Sequence, residues 1–299
     1  MPTAVITGAT SGLGLAFAAH LAKTGHDLPL VARTGEDLES AAAGMRHPGL
    51  RVTTLAADLA TAAGSRSLTD SLAENVPDLL VNNAGIALAA AFPVGDPGAE
   101  ENLLQLNIGC VLRTTRTVLP VMMRRGSGAV INVASVAAYG PTWLASTYPA
   151  GKSWVLAFTG SIGRSAPVRS SGVRVMALLP GYVRTAFHQR AGLAVGHLPR
   201  WMWLSSEQVA SAALRDLAKG RLISIPSRRY RACAWGLRHR PRTLTAAFSL
   251  DLAHDQPIPP AVSAPPRRGY GGMTFPTALT GQTVVVTGSG AGAATKRRG

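Results

Sequence analysis

Tyr148 and Lys152 stand four residues apart in the run Tyr148-Pro149-Ala150-Gly151-Lys152. On a helix that spacing puts both side chains on one face. A free phenol titrates near pH 10, too high for an efficient base at neutral pH. A cation about 4 Å away, at an effective dielectric of about 20, contributes roughly 4 kcal/mol, or about a thousandfold in acidity. The pair therefore reads as a phenol tuned by an ammonium to exchange a proton with a carbonyl or an alcohol. Y-x-x-x-K is common by chance, and other residues must join it. Ser135 ends an expected strand, and its hydroxyl can hold a carbonyl oxygen. Asn107 lies in an expected helix and can anchor a water that links Lys152 to solvent. A turn cap (Ser135) and a buried amide (Asn107) are the plainer roles for each taken singly.

A second constellation concerns phosphate. Thr7-Gly8-Ala9-Thr10-Ser11-Gly12-Leu13-Gly14 follows a strand-like run and opens a helical one. Gly8 permits a tight turn, Gly12 lets the backbone approach a pyrophosphate, and Gly14 allows close helix–strand packing. The N–H groups of Thr10, Ser11 and Leu13 face the same place, where a helix N-terminus favours negative charge. Arg33 ends the second expected strand. An acidic residue there would bind an adenosine 2′-OH and repel a 2′-phosphate. Arg33 would attract that phosphate by charge-assisted hydrogen bonds, which favours NADP over NAD. Asp58, after the third strand, is placed to contact the adenine ring or, more plainly, to cap the helix that follows.

The elements that must carry these residues alternate. Strand-like runs are Thr3–Thr7, Leu28–Ala32, Arg51–Ala57, Leu79–Val81, Ala129–Ala134, Val173–Leu179 and Leu222–Ile225. Helical stretches are Gly12–Lys23, Thr34–Met45, Thr61–Glu74, Ala99–Arg125 (one long helix), Ser146–Ser165 and Glu207–Lys219. Short apolar strands alternating with helices imply βαβ units. The fold expected is α/β: a doubly wound parallel sheet, Rossmann-like, in a single domain with a basic C-terminal extension. Residues 1–226 form the domain, 227–254 a basic helical segment and 255–299 a flexible tail. Ligands of such sheets sit beyond the carboxyl ends of the strands, where the residues above gather.

Composition narrows the class. The formal net charge is +15, but residues 221–299 alone hold 12 Lys/Arg against two Asp/Glu. No nucleic-acid motif accompanies this basic stretch, so a nucleic-acid partner is not expected. The two cysteines, Cys110 and Cys233, match no metal spacing and no disulfide framework, and no metal is expected. No signal peptide is read at the N-terminus. Gly126 to Gly151 is uncharged and long enough to span a bilayer, but its Asn, Pro, Gly and Ser content suits a buried strand-loop-helix better. A cytoplasmic protein is expected.

The chain resembles the short-chain dehydrogenase/reductase family across about residues 2–226. The likeness rests on Thr7-Gly8-x-x-x-Gly12-x-Gly14, Asp58-Leu59, Asn82-Asn83-Ala84-Gly85, Asn107, Ser135, Tyr148-x-x-x-Lys152 and Pro180-Gly181-x-x-x-Thr185, in that order. It implies a catalytic tetrad of Asn107, Ser135, Tyr148 and Lys152. It implies a cofactor lined by Leu59 beside Asp58, by Asn83, Ala84 and Gly85, and by Pro180, Gly181, Val183 and Thr185 near the nicotinamide. Lys152 would touch the nicotinamide ribose, and a dimer or tetramer is typical. Gly151 stands where the family usually has a larger polar residue, and Thr34 where a second basic residue would strengthen the case for NADP.

The substrate wall is expected in Ala186–Leu204, with Phe187, His188, Leu193, Trp201, Met202 and Trp203, opposite Tyr139, Trp143 and Leu144. This apolar, aromatic lining suits a hydrophobic alcohol, ketone or acyl compound; His188 and His197 read as loop residues. Arg228–Leu244 is basic and aromatic. Packing on the domain is its plain reading, and contact with a membrane surface the other. Thr283-Val-Val-Val-Thr287-Gly288 echoes Thr3 to Gly8, as though a second nucleotide-binding domain began and was cut short. A nonenzymatic NADP-binding sensor is the rival function, and a membrane-attached lipid-modifying reductase a third.

Overall fold

The computed structural model describes residues 1–139, 146–193, 195 and 198–239. Trp143, Leu144, His197, Arg240–Leu244, the 255–299 segment and its internal repeat lie outside the described residues. In chain order the elements are β1 (Ala4–Thr7), α1 (Gly12–Lys23), β2 (Leu28–Ala32), α2 (Gly35–Ala43), β3 (Val52–Ala56), α3 (Ala62–Glu74), β4 (Leu79–Asn82), α4 (Pro97–Leu104), α5 (Val111–Arg125), β5 (Ala129–Val133), α6 (Tyr148–Arg164), α7 (Ala166–Ser170), β6 (Arg174–Leu178), α8 (Phe187–Arg190), α9 (Ser206–Ala218), β7 (Ile223–Ser224) and α10 (Arg228–His239).

The strands form one parallel sheet in the order β3-β2-β1-β4-β5-β6-β7. This is the doubly wound order, and its direction reverses between β1 and β4, where such sheets open a crevice. Side chains alternate along each strand, so both faces need cover. Ile6, Val81, Ile131 and Met176 point to one face and pack with Phe17 and Leu21 of α1, Leu38 of α2 and Val209 of α9. Val5, Leu80, Val130 and Val175 point to the other and pack with Leu68 and Leu72 of α3, Val118 and Met122 of α5 and, partly buried, Ile162 of α6. Each fully buried Leu or Phe contributes about 1.5–3 kcal/mol.

Local signals set the helix ends. Asp96 caps α4 by accepting from the N–H groups of Gly98 and Ala99, Thr61 caps α3 through Gly64, and Ser205 caps α9 through Gln208. Gly126 ends α5 at φ 73°, a left-handed conformation that costs glycine nothing.

The elements differ from expectation in three ways. The long helix expected over Ala99–Arg125 is α4 and α5 joined by a π-helical stretch, Gln105–Cys110, which contains Asn107. Such wide turns gather at functional sites, and the hydrophobic period does not register them. The last strand shrinks to two residues, Ile223 and Ser224. Helices α7 and α8 are additional, each too short to show a period.

Candidate active site

A cleft of about 600 Å³ runs along the carboxyl ends of β1 to β6. Its lining includes Gly8, Thr10, Ser11, Gly12, Leu13, Arg33, Asp58, Leu59, Asn83, Ala84, Gly85, Ser135, Tyr148, Lys152, Pro180, Gly181, Val183 and Thr185. Two expected site residues, Gly14 and Asn107, lie behind it. Gly8 (φ 67°) and Gly12 (φ 54°) hold the loop in left-handed conformations. A Cβ on Gly12 would sit 2.6 Å from the Thr185 methyl group, and one on Gly14 would overlap the Gly8 carbonyl oxygen. The loop is a cradle with no room for side chains beneath it, fitting the phosphates of a dinucleotide at the start of α1.

The loop is pinned across the switch point by one hydroxyl. Thr7 Oγ1 accepts from the N–H groups of Asn83 (3.0 Å) and Ala84 (2.9 Å) and donates to the Val81 carbonyl (3.4 Å). Asn83 answers by donating Nδ2 to the Thr7 and Gly8 carbonyls. Asp58 accepts from the Ala60 N–H at 3.0 Å, and Thr61, not Asp58, caps α3. Arg33 is exposed and has no ion-pair partner among the described residues.

Helix α6 carries Tyr148 and Lys152, and polar bonds fix its seat. Asn82 donates to Asn132 (2.9 Å) and accepts from Thr114 (2.9 Å), and Asn132 donates to Thr159 of α6 (3.0 Å), all of them buried. At the N-terminus of α6, the Thr147 N–H and hydroxyl both donate to the buried Glu100 carboxylate. The expectation from sequence did not include Glu100, Thr114, Asn132 or Thr159, because their partners are 27 to 50 residues away.

Tyr148 and Lys152 face the cleft together, with Lys152 Nζ 5.6 Å from the Tyr148 ring centroid. Lys152 Nζ donates to the Val133 carbonyl at 2.9 Å. Ser135 Oγ accepts from the Ala137 N–H (3.1 Å), so it caps a turn and lines the cleft at once. Asn107 spends its amide on Ile86, accepting from its N–H (3.0 Å) and donating to its carbonyl (2.8 Å). Its Oδ1 still looks past Gly85 toward Lys152: a Cβ on Gly85 would lie 3.0 Å from Asn107 Oδ1 and 3.4 Å from Lys152 Nζ. All four expected tetrad residues therefore converge.

The electrostatics differ from the expected tuning. Burial pushes the Tyr148 phenol up to about 12, with the Ser135 hydroxyl pulling it back down, and burial brings Lys152 down to about 8. Desolvation is the largest cause of both shifts. At neutral pH the phenol holds its proton and the lysine is mostly charged.

Of the expected substrate wall, Phe187, His188, Leu193 and Met202 line the cleft. Phe187 lies 6.1 Å from the Tyr148 ring, and His188 packs on Tyr182 and Trp203. Burial lowers the His188 pKa, favouring the neutral ring. Trp201 is 60 % exposed and stands outside the lining, as does Tyr139. Sequence reasoning missed the last wall: Tyr230, Cys233 and Leu237 of α10. Tyr230 lies flat over Gly181, where any Cβ would run into its ring. Its hydroxyl accepts from the Tyr182 N–H and donates to the Met202 carbonyl at 2.6 Å. Helix α10 thus packs on the domain.

The family model for short chain dehydrogenases matches residues 2–194. The chain belongs to the short-chain dehydrogenase family. Short-chain dehydrogenases are oxidoreductases that use a nicotinamide cofactor on CH–OH or keto groups, and the cradle described above fits that cofactor. Among solved structures, the chain is similar to a short-chain dehydrogenase from Sphingobium yanoikuyae in complex with NADPH. That likeness has a TM-score of 0.73 and 32% identity, covering 88% of this chain and 98% of that one. It is also similar to a bulky-bulky ketone specific alcohol dehydrogenase from Comamonas testosteroni (TM-score 0.68, 26% identity, covering 79% and 92%). Among curated sequences, it is 33% identical to very-long-chain 3-oxoacyl-CoA reductase-B of Danio rerio over 187 residues. That match covers 61% of this chain and 60% of the reductase, so the chain spans about three fifths of that relative's length.

Proposed function

We propose that this short-chain dehydrogenase is an NADP(H)-dependent reductase of hydrophobic carbonyl compounds, with Asn107, Ser135, Tyr148 and Lys152 as its catalytic residues. The observation that carries the reading is the protonated, buried phenol of Tyr148 facing the cleft beside a cationic Lys152. Bound NADPH would supply hydride to the carbonyl carbon. Tyr148 donates its proton to the carbonyl oxygen, and the Ser135 hydroxyl holds that oxygen in line. Lys152, fixed by the Val133 carbonyl, stabilises the phenolate left behind. Asn107, in its π turn, sets the backbone at Ile86 and faces Lys152 across Gly85. The glycine loop, Asp58-Leu59, Asn83 to Gly85 and Pro180 to Thr185 hold the dinucleotide. Arg33, with no ion-pair partner among the described residues, favours a 2′-phosphate, and hence NADP over NAD.

The substrate is hydrophobic because Phe187, Leu193, Met202 and Leu237 make its walls; the names of the relatives, a bulky-ketone dehydrogenase and a 3-oxoacyl-CoA reductase, point the same way. Exposed Leu104 and Leu112 support a homo-oligomer. The exposed Arg228, Arg229, Arg231 and Arg238 around the exposed Trp235 of α10 support contact between residues 228–244 and a membrane surface from the cytoplasmic side. Among the described residues no helix is long and apolar enough to cross a membrane.

The test follows NADPH and NADH oxidation across a panel of bulky ketones and 3-oxoacyl thioesters. Wild-type protein should turn over with NADPH, and Tyr148→Phe should bind NADPH normally while losing turnover by about 10³-fold or more. Full activity in Tyr148→Phe, or no oxidation with any carbonyl, would leave the sensor reading in its place.

A further inference from the structure

Arg190 ends α8, on the far side of the cleft from the glycine loop in sequence but against it in space. Its Nη1 donates to Ser11 Oγ at 3.1 Å, across 179 residues of chain. Both residues line the cleft. Ser11 stands at the N-cap of α1, yet its side chain makes no bond to the amides of that helix. The hydroxyl is given to the guanidinium, and the first turn of α1 contains no acidic residue. Arg190 has no ion-pair partner among the described residues. A guanidinium held beside the loop, helix amides with no side-chain cap and a first turn without an acidic residue form a place for an anion.

We infer that Arg190 is a phosphate-binding residue for the dinucleotide, exchanging Ser11 Oγ for a phosphate oxygen and drawing α8 down over the cleft. The inference rests on the dinucleotide reading given above. The same short helix carries Phe187 against the Tyr148 ring and His188 against Tyr182 and Trp203. Holding Arg190 to a phosphate therefore seats the substrate wall next to the phenol, so the nucleotide orders the surface that the carbonyl compound meets.

The experiment titrates NADPH and NADH into wild-type, Arg190→Gln and Arg190→Lys proteins, reading Kd by ligand fluorescence at several salt concentrations. Arg190→Gln should weaken binding by about tenfold, as expected for a lost charge-assisted bond, and flatten the dependence of Kd on salt. Arg190→Lys should recover part of the loss. Thermal stability should not move, since Arg190 is exposed. Equal losses with NADPH and NADH assign the pyrophosphate, and a loss confined to NADPH assigns the 2′-phosphate. Unchanged Kd and salt slope for both nucleotides would overturn the inference. Wild-type protein that binds neither nucleotide would instead overturn the dinucleotide reading itself, and this one with it.

Discussion

At the scale of single residues, the acidity of two groups decides what the site can do. Tyr148 holds its proton up to about pH 12, so it remains a donor across the working range, while Lys152 loses its charge near pH 8. Burial lowers the lysine's pKa, so raising pH through about 8 removes the cation that, in the proposed mechanism, stabilises the phenolate. Carbonyl reduction should therefore run at a plateau below about pH 8 and decline above it. A pH–rate profile of kcat checks this, and a plateau continuing to about pH 10 would separate the rate from Lys152. The spacing of Tyr148 and Lys152 announces their shared face, because four residues is a helical neighbour distance. It does not announce the depth at which they are buried. That depth comes from Glu100, Asn132 and Thr159 seating α6, contacts that only the folded chain makes, and for this reason the expected fall in the phenol's pKa turned into a rise.

Among the elements, what sequence reveals depends on period and on terminus. The seven strands were legible because parallel strands covered on both faces are short continuous apolar runs. Six of the carboxyl ends led to a candidate site residue: Gly8 after β1, Arg33 after β2, Asp58 after β3, Asn83 after β4, Ser135 after β5 and Pro180 after β6. The π stretch around Asn107 was not legible, since one wide turn leaves the hydrophobic pattern of Ala99–Arg125 almost unchanged. Nor was the seat of α10, whose anchor joins Tyr230 to Tyr182 across 48 residues. That anchor makes a sharp prediction. Gly181→Ala places a methyl group inside the Tyr230 ring, and overpacking of this kind costs about 1–3 kcal/mol. The variant should melt several degrees lower and lose affinity for the carbonyl substrate. A substitution of equal size at Gly220, where a Cβ meets nothing, should leave substrate KM untouched although its φ of 70° carries some strain. Thermal melts and KM values on the two variants make the comparison.

For the molecule as a whole, two of the exposed apolar side chains among the described residues stand close together in sequence. Leu104 and Leu112 lie 38% and 43% exposed at the two ends of the π stretch, and Ile108 between them is half-buried. Residues four apart share a helix face, so together they form an apolar stripe suited to a second copy. Leu112→Glu should lower the mass seen by light scattering to that of one chain, with little change in secondary structure by circular dichroism. An unchanged mass would take the stripe out of the oligomer contact.

The placement of α10 also divides labour within the enzyme. The phenol, the ammonium and the nucleotide cradle hang from β1, β4, β5 and α6, whereas Cys233 and Leu237 reach the cleft from the final helix. Exchanges at those two positions are expected to change which compound is turned over while leaving the proposed proton donor undisturbed. Selectivity in this chain is thus open to alteration from its last described helix, independently of the chemistry it serves.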